Sequence, residues 1–218
     1  YLGYSGTMST KFMDFIIADK TIIPSDFKKY YSEKIIYLPN CWLPNLKNRS
    51  ISEKDFKRID FNLPDDAFIF CNFNTNYKIT PIIFDLWMNI LKKVPKSILW
   101  LFESNFEASK NLRKEAENYG ISQNRLIFLR HLPYEEHLTI LKLGDLFLDT
   151  FPYNAHATAV DALRVGLPVL TLMGKTIASR VAGSILKQVN LNELISQNRE
   201  NYKKKAIELA VNTNKLFQ

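Results

Sequence analysis

Short, continuous runs of apolar residues alternate along the chain with longer stretches in which apolar positions recur at helical spacing. The run Ile98-Leu99-Trp100-Leu101-Phe102 is the clearest example. Uninterrupted apolar strands are typical of parallel sheets that are covered by helices on both faces. After residue 66 the alternation of strand and helix repeats five times. The pattern therefore predicts an α/β fold with a doubly wound, mostly parallel, Rossmann-like sheet.

The predicted element bounds follow from this periodicity and from local start and stop signals. A Ser cap opens one helix at Ser25, Pro81 lies in the first turn of another, and Gly120 and Gly166 close two more. The predicted strands are 12–18, 34–38, 67–73, 97–103, 125–129, 145–150 and 169–172. The predicted helices are 25–32, 81–94, 106–119, 135–143, 156–165, 177–187 and 199–212. Residues 43–52, which are rich in Pro, Asn and Ser, are expected to form a connector.

Three polar segments follow predicted strands, where open α/β sheets bind their ligands. The first is 71–79, with three Asn and with Lys78, whose compact charge could meet a diphosphate. An Asn-rich turn with a solvated Lys is the alternative for this segment. The second is 133–137, a helix start at which His137 could donate to a phosphate, or could simply lie on the surface.

The third segment, 149–161, is the most specific of the three, because polar and small residues replace an expected apolar packing face. His156, the Ala157 amide and the amide and hydroxyl of Thr158 could cradle a phosphate at an open helix start. Asp161 could then accept hydrogen bonds from ribose hydroxyls. The alternative is ordinary capping by Asn154 with Asp161 in solvent.

Composition narrows the classes of function. The chain has 218 residues, a net charge of +7, two Cys and three His. The Lys and Arg residues are dispersed and no RNA-binding aromatic motif accompanies them, so nucleic acid is a minority interpretation. We expect no metal site and no membrane span, and reduced thiols in the cytoplasm. The chain lacks an initiator Met and is taken as part of a longer protein. Gly-rich phosphate loops, G-x-S-x-G and a carboxylate pair are all missing.

Strings along nearly the whole chain resemble the catalytic region of protein O-GlcNAc transferases and of the related Spindly-type enzymes. The matching strings are 2–7, 12–19, 31–34, 71–74, 135–137, 148–150, 174–182 and 198–202. The resemblance implies an inverting, metal-free glycosyltransferase of the GT-B type, which moves GlcNAc from UDP-GlcNAc to Ser or Thr hydroxyls of a protein or peptide acceptor. It further implies that 1–48 is the end of the N-terminal catalytic lobe with a linker, and that 49–218 is the C-terminal nucleotide-sugar-binding lobe.

By the same resemblance, Lys78 is the expected catalytic residue and meets the donor phosphates. The donor site is expected to contain Thr75, Lys78, Leu132, Tyr134, His137, His156, Ala157, Thr158 and Asp161. Thr75 stands where the family has Gln, and Tyr134 stands where it has Lys. These departures leave open a related transferase that uses GDP-fucose or UDP-glucose, or a protein that binds nucleotide sugars without turnover. Helical repeats of about 34 residues upstream in the full-length protein would point to a protein acceptor.

Overall fold

The computed structural model describes residues 2–45 and 49–212, which contain two parallel sheets. The small sheet pairs two strands, and the large sheet has six strands in the order β5-β4-β3-β6-β7-β8. The first two strands form the small sheet. The strands are β1 (Phe15–Ala18), β2 (Lys34–Tyr37), β3 (Phe68–Asn72), β4 (Ser97–Phe102), β5 (Leu126–Leu129), β6 (Leu146–Leu148), β7 (Val169–Leu172) and β8 (Ile195–Ser196). Every strand pairing is parallel, as the apolar runs predict.

One α-helix follows each strand of the large sheet. They are α1 (Pro81–Lys93), α2 (Phe106–Asn118), α3 (Tyr134–Ile140), α4 (Ala157–Arg164), α5 (Val181–Gln188) and α6 (Arg199–Val211). Short 3-10 segments add Ser25–Tyr30, Arg58–Phe61, Asn76–Lys78, Gln123–Arg125, Leu141–Leu143, Ile177–Ser179 and Asn192–Leu194. In the strand order, β3 and β6 are the central neighbours at which the winding of the chain reverses. This is the switch point where such sheets form ligand clefts.

The core lies between the large sheet and its helices. All five residues of β3 are buried, and Trp87 on α1 is fully buried beside the sheet. Trp87 Nε1 donates to the hydroxyl of Tyr202 on α6 at 3.3 Å, and that hydroxyl donates to the carbonyl oxygen of Asp149 at 2.9 Å. Two buried aromatic side chains therefore satisfy their polar atoms while they fix the backbone just after β6.

The small sheet packs against α5 through a buried carboxylate. Asp19 accepts hydrogen bonds from the Trp42 amide at 2.8 Å and from the Ser184 hydroxyl at 2.6 Å. Arg180 Nε donates to the Thr21 carbonyl oxygen at 2.7 Å. The segment that follows β1 is thus attached to α5, which packs on the large sheet. The division into lobes at residue 48 stays a prediction, and residues 46–48 lie outside the described part of the chain.

Several predicted elements differ from the structure. The helix predicted at 25–32 is a 3-10 segment, and Ser25 does not cap it, because Pro24 occupies the cap position. The first strand begins at Phe15, three residues later than predicted, and the strand predicted at 145–150 pairs only over Leu146–Leu148. The helix predicted at 177–187 is divided into a 3-10 turn and α5. The two-residue strand β8 carries too short a pattern to predict.

Within the described residues, no helix has both the length and the apolar composition that crossing a membrane requires. The two cysteines, Cys41 and Cys71, are both free thiols. Burial raises the pKa of the Cys71 thiol well above its usual value, so this side chain acts as a core residue.

Candidate functional site

Polar residues gather where β3, β5 and β6 end, at one edge of the large sheet. β3 ends in the buried Asn72, whose side-chain amide donates to the carbonyl oxygen of Leu148 on β6 at 2.7 Å. Asn74 follows it and is also buried. Neighbouring parallel strands present their carboxyl ends together, which brings segments about 80 residues apart in sequence into one cleft.

Lys78 lies in the 3-10 turn after β3 and reaches into this cleft. Its Nζ donates to the Asn154 carbonyl oxygen at 2.9 Å and to Asn74 Oδ1 at 3.3 Å. The ammonium also lies 4.1 Å from the centre of the Tyr153 ring. Burial lowers the pKa of Lys78, and the charge of Asp149 opposes that shift. The side chain is held by these contacts, so the alternative in which the Lys is solvated is wrong.

Asn74 joins the two halves of the cleft, and the sequence analysis did not assign it a role. Its Oδ1 accepts from Lys78 and, at 2.9 Å, from the hydroxyl of Thr158 on α4. Its backbone amide donates to Asn72 Oδ1 at 3.0 Å, which fixes the turn. In the sequence, the only sign of this role is the pair of Asn residues at 72 and 74, at the end of a strand. Which of the two side chains contacts α4 depends on how that helix packs, and the local sequence does not show this.

Asp149 organises the loop between β6 and α4. Its carboxylate is fully buried and accepts from the amides of Thr150 and Ala155, at 2.8 and 2.6 Å, and from the Thr171 hydroxyl at 2.6 Å. Burial raises the pKa of Asp149 to about 7, although these hydrogen bonds and the charge of Lys78 lower it. The carboxylate thereby sets the path of the residues that lead to His156.

His156 stands at the cap position of α4, beside Lys78. Burial, with a smaller effect of the Lys78 charge, lowers the pKa of His156 to about 4, so its imidazole is neutral near pH 7. Its Nε2 is buried and has no hydrogen-bond partner among the described residues. The ring packs against Tyr153 with the centroids 5.1 Å apart. A fixed imidazole with a free nitrogen at this place is suited to a ligand oxygen.

The start of α4 is open, as the small residues predict. No side chain caps this eight-residue helix. Asn154 does not cap it, because its side-chain amide donates to the Thr150 carbonyl oxygen at 2.8 Å. Ala157 is exposed at the first helical position and Thr158 follows it. The free amides of the first turn and the helix dipole favour an anion here.

A second cluster lies one turn along α4, at Asp161. This residue is only 5% exposed, so the alternative that places it in solvent is wrong. Tyr134 on α3 donates its hydroxyl to Asp161 Oδ1 at 2.7 Å, and Arg49 Nη1 lies 3.4 Å from the same oxygen. His137 is half-buried against Phe73, with ring centroids 5.4 Å apart. Burial lowers the pKa of His137, while the Asp161 charge opposes this effect.

Two predicted site residues stand apart from these clusters. Thr75 is exposed and its side chain does not cap the turn that it begins. Leu132 lines a cavity of about 580 Å³ with Trp100 and Phe128, and no other predicted site residue lines that cavity. The structure therefore brings together Lys78, His137, His156, Ala157, Thr158, Asp161 and Tyr134, and leaves Thr75 and Leu132 at the margin.

No group of three or more His, Cys, Asp or Glu side chains that could hold a metal ion occurs in residues 2–45 and 49–212. The cleft instead presents one ammonium group, a neutral imidazole, a helix start and a carboxylate one turn further along the same helix. This set can bind phosphate groups at one end and sugar hydroxyls at the other.

The parallel six-stranded sheet with its helices places the chain in the GT-B class of glycosyltransferase folds. Residues 1–55 and 48–218 match the model of glycosyltransferase family 41. The chain belongs to this family.

Curated relatives and a solved structure agree with this placement. The chain is 36% identical over 222 residues to the Arabidopsis thaliana protein described as "Probable UDP-N-acetylglucosamine--peptide N-acetylglucosaminyltransferase SEC", covering 99% of this chain and 23% of that protein. It is 39% identical to the Caenorhabditis elegans UDP-N-acetylglucosamine--peptide N-acetylglucosaminyltransferase over 159 residues, which are 73% of this chain and 14% of that protein. A mutant O-GlcNAc transferase of Thermobaculum terrenum superposes with a TM-score of 0.87 at 27% identity, covering 100% of this chain and 41% of the other. The chain thus spans less than a quarter of the length of these two curated relatives.

Proposed function

We propose that this chain is the donor-binding part of an inverting glycosyltransferase that moves GlcNAc from UDP-GlcNAc to Ser or Thr hydroxyls of a protein or peptide acceptor. The observation that carries the proposal is the cluster of Lys78, Asn74 and Thr158, in a chain of family 41. The relatives named above are described by that donor and by a peptide acceptor.

In this proposal Lys78 and the open start of α4 bind the diphosphate of the donor. Negative charge grows on that diphosphate as its bond to the sugar breaks. A positioned ammonium and helix amides stabilise this charge more in the transition state than in the ground state, which lowers the barrier. His156 meets a phosphate oxygen through Nε2 in this proposal, because the hydrogen bond of the ring to the Ala178 backbone leaves that nitrogen free. Nε2 donates only when the imidazole takes up a proton, which the negative charge of a bound phosphate favours. Asp161, in the second cluster, accepts hydrogen bonds from the ribose hydroxyls in this proposal.

The mechanism is proposed to need no cofactor and no metal, because ammonium, imidazole and amide groups take the place of a divalent cation at the diphosphate. Titration calorimetry of residues 1–218 with UDP and with GDP, each with and without EDTA, tests the donor and the metal together. We expect tighter binding of UDP, unchanged by EDTA. Loss of UDP binding in EDTA would contradict the metal-free mechanism, and tighter binding of GDP would favour a GDP-fucose transferase.

Turnover needs a separate test, because a protein that only binds the donor would pass the titration. Transfer of radiolabelled sugar to protein by the full-length enzyme would support the transferase. Binding of UDP-GlcNAc without any transfer would favour a nucleotide-sugar sensor. Nucleic acid and membrane are not proposed as partners, and the cytoplasmic location expected from the sequence stays a prediction.

A further inference from the structure

Arg49 reaches from the connector into the cleft beside α3 and α4. Its guanidinium carbon lies 5.0 Å from the centre of the Tyr134 ring, and Nη1 contacts both the Tyr134 hydroxyl and, at 3.4 Å, Asp161 Oδ1. The side chain is 24% exposed. Stacking on an aromatic ring fixes the plane of a guanidinium and restricts its rotation.

The segment that begins at Arg49 is also attached to α3 at further points. The Ser52 amide donates to the Glu135 carbonyl oxygen at 3.2 Å, and the Thr139 hydroxyl donates to the Ser52 carbonyl oxygen at 3.1 Å. Lys54 Nζ lies 2.6 Å from Glu136 Oε1. Arg49 is therefore carried by a segment that is docked on α3 over several residues.

Most of the hydrogen-bond donors of Arg49 have no partner among residues 2–45 and 49–212. Of its three guanidinium nitrogens, only Nη1 has hydrogen-bond partners among the described residues, and the buried Nε has none there. Asp161 already accepts a 2.7 Å hydrogen bond from Tyr134, so its 3.4 Å contact with Arg49 is the weaker of the two. A buried guanidinium donor without an acceptor is costly, unless a ligand supplies the acceptor.

We propose that Arg49 is a further donor-binding residue, which supplies positive charge to the diphosphate of a bound nucleoside diphosphate from the connector side of the cleft. Asp161 lies one helical turn after Thr158 on α4, so Arg49 flanks the place between the proposed phosphate and ribose positions. Lys78 enters the cleft from the turn after β3. A diphosphate bound there is contacted by cations from two sides. This inference rests on the proposed function.

The test separates the charge of Arg49 from a role in holding Asp161. UDP binding to residues 1–218 is measured by calorimetry, and uridine binding by NMR titration, for the unchanged chain and for Arg49→Ala. The matched control is Lys57→Ala, which removes a positive charge from an exposed side chain eight residues further along the chain. Thermal unfolding of each variant shows that it is folded.

We expect Arg49→Ala to weaken UDP binding at least tenfold, to leave uridine binding within about twofold, and to reduce the salt dependence of UDP affinity. Lys57→Ala should bind both ligands like the unchanged chain. UDP affinity that is unaffected by Arg49→Ala would overturn the inference, as would an equal loss for UDP and uridine, which would mean that Arg49 only arranges Asp161. Failure of the unchanged chain to bind UDP would instead refute the proposed function, and this inference with it.

Discussion

The Thr158 hydroxyl donates a 2.9 Å hydrogen bond to Asn74 Oδ1 and so connects the start of α4 to the turn after β3, 84 residues earlier in the chain. Lys78 donates to the same oxygen. One amide oxygen therefore sets the separation between the ammonium and the helix start. The two groups that we propose bind phosphate follow different strands of the sheet and are in this way held at a fixed spacing before any ligand arrives. This reduces the cost of ordering them on binding.

Lys78→Ala in the full-length enzyme should reduce sugar transfer by about a hundredfold, because the loss of one positioned donor of this kind costs on the order of 3 kcal/mol of transition-state stabilisation. A transfer assay under saturating donor measures the effect. Lys92→Ala is the matched control, since Lys92 lies on the exposed side of α1, 5.4 Å from the Tyr119 ring. Turnover of Lys78→Ala close to that of the control would remove Lys78 from the mechanism.

Asn74→Ala should lower both stability and UDP affinity, because it leaves the Thr158 hydroxyl without its acceptor and removes one of two acceptors of Lys78. A buried polar group that loses its partner costs about 1–3 kcal/mol. Urea unfolding and calorimetric titration with UDP measure the two effects.

Asn74→Asp separates stability from binding at this position. The carboxylate keeps an acceptor for Lys78 and Thr158, so stability should stay closer to that of the unchanged chain, while its negative charge should weaken binding of a diphosphate further. UDP affinity that is unchanged in both variants would show that Asn74 has no part in the site.

The sequence predicts the large sheet well, because its buried strands and their flanking helices have unambiguous patterns. β7 has the predicted bounds, and α1 begins at Pro81 as its Pro indicates. The differences concern short elements whose bounds depend on tertiary contacts. The segment Ser25–Tyr30 has too few turns for helical periodicity to distinguish an α-helix from a 3-10 helix.

The sequence predicts those residues of the candidate site that follow strands, and it does not predict those whose position depends on tertiary packing. Lys78 and Thr158 follow strand ends, where a general rule directs attention, and the structure joins them through Asn74. Arg49 follows no strand, and its place in the cleft depends on how the connector crosses α3. A path of that kind is set by long-range packing, which local sequence patterns do not encode.

Asp149 should make the stability of the chain depend on pH in a characteristic direction. Burial raises the pKa of Asp149 from 3.8 to about 7 in the folded chain. Between these two values the folded state holds a proton that the unfolded state has lost, so the free energy of unfolding falls as the pH rises. The contribution should be fully present below about pH 4 and lost above about pH 7, at a rate of at most about 1.4 kcal/mol per pH unit.

His156 acts in the opposite direction, because burial lowers its pKa from 6.5 to about 4, so that its contribution is lost as the pH falls through that range. The two effects partly cancel in the unchanged chain, and a single pH profile would not resolve them. A comparison with Asp149→Asn separates the two effects, since this variant keeps His156 and the shape of the side chain at 149. Asn can still accept from the amides of Thr150 and Ala155 through one oxygen.

Urea unfolding of both chains from pH 4.5 to pH 7.5 should show the stability advantage of the unchanged chain shrinking steadily as the pH rises. An advantage that grows with pH would mean that the three hydrogen bonds and the charge of Lys78 outweigh burial and hold the carboxylate ionised.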